Sequence, residues 1–160
     1  MFEARLSPAR AILAGTLVVG TLDALDAVVF FGLRGATPIR IFQSIASGAL
    51  GRAAYRGGLP AAALGVLIHY FVAFGIVTTY YLASRRVKAL TQRPVLFGAI
   101  YGIGVYFFMN LVVIPLSAIG PQRFTTGPFI NGILIHVFGV GIPAALLISR
   151  ATPGTDVQRR

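Results

Sequence analysis

The stretch AILAGTLVVGTLDALDAVVFFGL, residues 11–33, decides the fold class of this chain. Apart from Thr16, Thr21, Asp23 and Asp26, every residue in it is apolar or glycine. A helix rises about 1.5 Å per residue, so roughly 20 apolar residues cross the hydrocarbon core of a bilayer. The stretch therefore predicts a membrane-spanning helix.

Three further apolar runs of similar length follow, at residues 61–84, 95–119 and 129–149. Of the 160 residues, 56% are hydrophobic and 11% are charged, whereas a soluble domain devotes about a quarter of its residues to charge. We expect one all-α domain, a polytopic bundle of four transmembrane helices in a lipid bilayer. The C-terminal residues 154–160 are expected to be disordered.

The Lys and Arg residues stand at the ends of the apolar runs, which argues against nucleic acid as a partner despite the net charge of +10. Short cytoplasmic loops carry most of the basic residues of a membrane protein. Both termini are therefore predicted to be cytoplasmic. The larger, inner set is then Arg5, Arg10, Arg85, Arg86, Lys88, Arg93, Arg150, Arg159 and Arg160, and the outer set is Arg34, Arg40, Arg52, Arg56 and Arg123.

The connection between the first two spans is long enough to hold a helix of its own. Thr37-Pro38 is a typical helix start and Gly57-Gly58 a typical stop, and apolar residues recur between them at helical spacing. We predict an interfacial amphipathic helix at about residues 38–56. It would lie on the outer membrane surface or cover the bundle as a lid.

Small residues and prolines in the last two spans predict how those helices pack. Gly98-x-x-x-Gly102, with Gly104 next, predicts a small-residue face where another backbone approaches closely. Pro115 and Pro143 each remove one helical hydrogen bond. We expect a kink in each of these two helices.

Two of the chain's four acidic residues lie inside the first span. A carboxylate in the hydrocarbon core is costly, so such residues are normally paired, protonated or functional. Counted from the predicted outer helix ends, polar residues of all four spans lie about 10 to 15 Å deep. These residues are Asp23, Asp26, His69, Asn110 and His136. We infer a buried polar site in the outer half of the bilayer, with Arg40, Gln43 or Arg52 as a lid or as charge partners.

Three functions fit such a site. The first is a non-enzymatic binding protein or accessory subunit of a membrane complex, with other membrane subunits or a second copy as partners. The second is a proton-coupled carrier or channel for a small solute, in which the aspartates and histidines relay protons. In the third, His69 and His136 bind a b-type haem or a transition metal. Alternatively, the polar groups only hydrogen-bond across helices and hold the bundle together.

Catalytic motifs are missing from the sequence. There is no Walker-type loop, no H-E-x-x-H, no G-x-S-x-G and no cysteine. The motifs therefore give no ground for assigning an enzyme.

Two pairs of segments stand out beside these patterns. One pair is TLDALDAVVFFGLRG (residues 21–35) with PIRIFQSIASG (residues 38–48), and the other is PVLFGAIYG (residues 94–102) with MNLVVIPLSA (residues 109–118). In these segments, which extend from the first span to the third, the chain resembles a widespread group of small bacterial integral membrane proteins with four helices. The resemblance implies a bacterial cytoplasmic membrane, and it implies no activity, ligand or partner.

Overall fold

A computed structural model describes residues 6–151, so the tail predicted at 154–160 lies outside the described residues. Within this range every regular element is helical. The helices long and apolar enough to cross a membrane are α1 (Pro8–Gly32), α3 (Gly58–Ser84), α5 (Pro94–Leu116) and α6 (Thr126–Ser149). Two shorter helices, α2 (Pro38–Leu50) and α4 (Ala89–Gln92), lie in the connections. The predicted all-α bundle of four spans is confirmed.

The outer surface of the spans is apolar. Their most apolar windows have mean hydropathies between 1.8 and 2.1, yet only 22% to 33% of the residues in those windows are buried. Leu17, Leu67 and Phe71, for example, are 61%, 69% and 75% exposed. A surface of this kind is suited to lipid and not to water. The chain is therefore a multi-pass membrane protein.

Several helix boundaries differ from the predicted ones because local capping decides where a helix begins and ends. The first helix begins at Pro8, where the Ser7 hydroxyl accepts a hydrogen bond from the backbone N–H of Arg10. Helix α5 ends at Leu116, before the predicted residue 119, because Ser117 has extended backbone angles (φ −82°, ψ 174°).

The connection between α1 and α3 contains the predicted helix, but the helix divides at Gly51. Thr37 caps α2 by accepting a hydrogen bond from the backbone N–H of Arg40. Gly51 has φ +58°, a left-handed value that ends an α-helix, and a 3-10 helix follows over Gly51–Arg56. The α-helix predicted over residues 38–56 is therefore shorter. Helix α2 lies along α3, with the Phe42 carbonyl directly against Gly65.

The solid core of the bundle lies mostly in the half remote from α2. Helices α1, α3 and α6 pack there through mainly small side chains, which let the backbones approach closely. The buried residues of this core are Ala11, Val19, Ala73, Val77, Tyr80, Val140, Ala144, Ala145, Ile148 and Ala151. In the same half, the Tyr101 hydroxyl joins α5 to α3 by donating to the Ile76 carbonyl over 2.7 Å.

Helices α5 and α6 approach each other at glycines. A Cβ atom on Gly98 would lie 2.8 Å from the Gly141 carbonyl oxygen, and one on Gly102 would collide with the His136 carbonyl. The predicted small-residue face is therefore confirmed at Gly98 and Gly102. Gly104 does not belong to it, because a Cβ atom there would meet nothing within 4 Å.

Both of these helices change register before their internal proline. Helix α5 contains a π-helical segment at Met109–Val113, and α6 contains one at His136–Gly141. Pro115 and Pro143 follow these segments and lack the N–H that an α-helical hydrogen bond would need. A local π-helical register therefore precedes each proline, a feature frequent at functional sites. The kinks themselves stay a prediction.

The glycine contact predicts opposite effects for two substitutions in one helix. Gly102→Ala should destabilise the protein by about 1–3 kcal/mol, because the new methyl group meets backbone atoms of α6 that cannot move independently. Gly104→Ala should be neutral or slightly stabilising, because its methyl group enters open space in a helix. Thermal unfolding in detergent measures both variants. Equal melting temperatures for the two variants would contradict the close contact of Gly102 with α6.

Candidate ligand-binding site

The five polar residues predicted from the sequence lie at one level of the bundle. We call the end formed by α2 and by the connection 117–125 the α2 end. Measured along each helix from this end, the five residues lie about 9 to 16 Å deep at 1.5 Å per residue. They are Asp23 and Asp26 on α1, His69 on α3, Asn110 on α5 and His136 on α6.

Four of the five residues line one cavity of about 210 Å³, which we call the polar cavity. These are Asp23, His69, Asn110 and His136. Its remaining wall is apolar, with Val19, Gly20, Ile45, Val72, Ala73, Ile76, Met109, Ile114 and Val140. The lining contains no lysine, arginine or hydroxyl side chain. A single carboxylate is therefore the dominant fixed charge of the polar cavity.

A second cavity of about 270 Å³, which we call the vestibule, adjoins the polar cavity toward the α2 end. The two cavities share Asp23, Asn110 and His136, and the vestibule adds Asp26 and Arg123. Its walls are largely aromatic, formed by Phe30, Phe31, Tyr106, Phe124 and Phe129. Three of these rings are in edge contact, since Tyr106 and Phe124 each meet Phe129 at centroid distances of 5.7 and 5.9 Å.

His69 is held in one orientation by a backbone carbonyl. Its Nε2 lies 2.7 Å from the Gly20 carbonyl oxygen, which can only accept, so Nε2 carries a proton. Its Nδ1 lies 3.9 Å from a carboxylate oxygen of Asp23, too far for a direct hydrogen bond. In the neutral ring, Nδ1 is thus a hydrogen-bond acceptor that faces a carboxylate. The side chain of His69 is only 10% exposed.

His136 and Asn110 satisfy carbonyls of their own helices. Nδ1 of His136 lies 2.9 Å from the Gly132 carbonyl oxygen, and Nδ2 of Asn110 donates to the Tyr106 carbonyl over 2.9 Å. Within residues 6–151, Nε2 of His136 has no hydrogen-bond partner. The neutral His136 ring therefore offers an acceptor at the polar cavity, as His69 does.

The structure adds one residue that the sequence analysis missed. Asn131 of α6 donates a hydrogen bond from Nδ2 to a carboxylate oxygen of Asp26 over 2.6 Å. This bond joins α6 to α1 and occupies one side of the carboxylate. The signal was present in the sequence, because Asn131 lies within the fourth apolar run.

The residues expected as charge partners do not contact the aspartates, and their role as a lid stays a prediction. The guanidinium of Arg40 lies over the Tyr55 ring, 4.0 Å from its centroid, and Gln43 donates to the Gly58 carbonyl over 3.0 Å. Arg52 has no ion pair with an aspartate in the described part of the chain. The structure therefore does not bring Arg40, Gln43 or Arg52 to Asp23 or Asp26. The nearest basic group to Asp23 is His69.

The metal and haem hypothesis gains no support from this geometry. Among the described residues, no group of three or more His, Cys, Asp or Glu side chains is arranged to hold a metal ion. His69 and His136 both line the polar cavity, but its 210 Å³ is below the roughly 300–1,000 Å³ of pockets for drug-sized ligands.

Comparisons of the chain with protein-family models, with curated proteins and with solved structures find no match.

The bond between Asn131 and Asp26 predicts a measurable coupling between two helices. Asn131→Ala and Asp26→Ala should each destabilise the protein, and the double variant should lose less than the sum. We expect a coupling free energy of about 0.6–1.7 kcal/mol, the range found for hydrogen bonds between membrane helices. Unfolding of the four proteins in mixed detergent micelles measures it. Strictly additive losses would show that the bond contributes nothing.

Proposed function

We propose that this protein is a non-enzymatic binding protein of the bacterial cytoplasmic membrane, whose ligand occupies the polar cavity. One observation carries the proposal: three ring or carboxylate acceptors from three helices line this cavity, with no lysine or arginine side chain to satisfy them. They are the Asp23 carboxylate, Nδ1 of His69 and Nε2 of His136. Buried acceptors that lack a donor would destabilise the bundle. A ligand that donates hydrogen bonds therefore fits the site.

Binding is favoured over catalysis because the polar cavity lacks a hydroxyl, thiol or amine nucleophile. Many enzymes that act through a covalent intermediate place such a group beside a base. No Ser, Thr, Tyr, Cys or Lys side chain lines the polar cavity. The histidines are bases, but each uses its other ring nitrogen to hold a backbone carbonyl. Such fixed rings suit recognition.

A proton-coupled carrier is the second candidate, and the proximity of Asp23 to His69 favours it. Exchange of a proton between these groups over 3.9 Å needs little movement. However, a carrier must also open toward the opposite membrane face. There the core of α1, α3 and α6 is filled by residues such as Val77, Tyr80 and Ile148, which are at most 1% exposed. A single copy therefore suits one-sided binding better than transport.

Gentle extraction followed by native mass spectrometry tests the proposed function. Protein taken from its own membranes should carry one small bound species. Asp23→Asn should lower its occupancy about tenfold or more, because a hydrogen bond to a charged group is lost. Leu25→Ala is the matched control, since Leu25 lies on the same helix and is 56% exposed.

Two results would overturn this assignment. One is a wild-type spectrum that contains the bare protein mass alone. The other is a bound species that both variants retain equally. A stoichiometric second protein that is insensitive to Asp23→Asn would favour the accessory-subunit function instead.

We also propose that the α2 end faces the periplasm and that both termini are cytoplasmic, which the distribution of Lys and Arg supports. The chain has no cysteine, so single-cysteine variants report position without background. Thr125→Cys should react with a membrane-impermeant maleimide in intact cells, whereas Gln92→Cys should react only after permeabilisation. The reverse pattern would place the polar cavity in the cytoplasmic half.

A further inference from the structure

A long apolar groove lies between α3 and α5 at the α2 end, and we call it the lateral groove. It has a volume of about 610 Å³ and is larger than the polar cavity and the vestibule. Spans α3 and α5 form its sides through Ile68, Val72, Met109, Val113 and Ile114, and α2 covers it. Its rim carries Ser44, Ser47, Ser117 and Gln122.

The lateral groove faces the lipid because α3 and α5 do not pack closely on each other in the described chain. They meet in the half remote from α2, through the bond from Tyr101 to Ile76 and the contact between the Tyr80 and Tyr101 rings. Toward the α2 end, the two helices only flank the groove. The Ala118 N–H closes the rim by donating to the Gly48 carbonyl over 2.9 Å.

The lateral groove adjoins the polar cavity, since Ile45, Val72, Met109 and Ile114 line both. This arrangement suits a molecule whose apolar portion lies in the groove and whose polar end lies beside Asp23. In a membrane, such a molecule is an amphiphile, and it could arrive sideways from the bilayer.

The acceptors of the polar cavity select the head group of this amphiphile. Asp23, His69 and His136 offer acceptors, and the lining offers no cation. A primary ammonium has three N–H donors, no acceptor and a positive charge, so it matches all three positions. A carboxylate or phosphate would be repelled by Asp23. A quaternary ammonium has the charge but lacks N–H donors.

We propose that the ligand is a membrane amphiphile with a primary ammonium head, which binds in the polar cavity while its hydrocarbon chain lies in the lateral groove. This inference rests on the proposed binding function and specifies its ligand class. Entry between α3 and α5 lets the ligand reach the site without crossing water.

Native mass spectrometry of the full chain in a nonionic detergent, titrated with defined probes, tests the inference. The main probe is dodecylamine. Dodecyltrimethylammonium removes the N–H donors, dodecanol removes the charge, and propylamine removes the chain. We expect dodecylamine to bind about tenfold or more tightly than each of the other three, because each lacks one recognised feature.

Substitutions assign the two halves of the ligand to the two parts of the site. Val113→Trp fills the lateral groove and should weaken dodecylamine about tenfold while leaving propylamine unchanged. Val112→Trp is the matched control, because Val112 precedes it in sequence, is 39% exposed and does not line the groove. Asp23→Asn should weaken both amines. Val113→Phe is a smaller obstruction that serves if the tryptophan variant does not fold.

The outcomes separate this inference from the proposed function. Two results would contradict binding of the hydrocarbon chain in the lateral groove. One is equal binding of dodecylamine to the Val113 variants and the wild type, and the other is equal binding of propylamine and dodecylamine. If dodecanol or dodecyltrimethylammonium binds as tightly as dodecylamine, recognition of a primary ammonium head is contradicted. If no amine binds but a natural ligand is retained in an Asp23-dependent manner, the inference fails and the binding function stands. If nothing is retained either, both fail.

Discussion

The requirement that backbone polar groups be paired inside a membrane governs the polar half of this bundle. Lipid offers no hydrogen bonds, so a polar side chain inside a span has to find its partner within the protein. The side chains of Asn110 and His136 find theirs in the Tyr106 and Gly132 carbonyls, which also accept the backbone N–H groups of Met109 and His136. Each does so in or at the start of a π-helical segment. Structural pairing and the orientation of the site are thus consequences of the same bonds.

These bonds also explain why the cavity presents acceptors. An imidazole has two nitrogens, and the one that donates to a carbonyl fixes the other as an acceptor in the neutral ring. Both histidines use this arrangement, with carbonyls of Gly20 and Gly132. A histidine that donates to a backbone carbonyl on one side therefore exposes an acceptor lone pair on its other side. The proposed ligand class follows from that geometry.

Much of the fold could be predicted because hydrophobicity and length decide spans directly. The four runs, the helix after Thr37-Pro38 and the glycine contact at Gly98 and Gly102 all follow from local patterns. The end of α2 before Gly51 could not be predicted, because a glycine within a helical pattern can be tolerated or can terminate the helix. Its positive φ is a property of the packed chain.

The level of the site could be predicted, whereas its pairings could not. Counting residues from a helix end gives depth, and antiparallel spans convert that depth into a shared layer. The rotation of each helix about its axis decides which residues touch. Counting residues from a helix end does not determine this rotation. This is why Asn131, rather than an arginine of the interfacial segment, meets Asp26, and why Arg40 lies on Tyr55.

The contrast between the two halves of the bundle has an electrical consequence. The described cavities lie toward the α2 end, while tightly packed small side chains fill the other end. A charge that reaches Asp23 from the α2 end traverses only part of the transmembrane voltage drop. The voltage can therefore bias how often the polar cavity is filled.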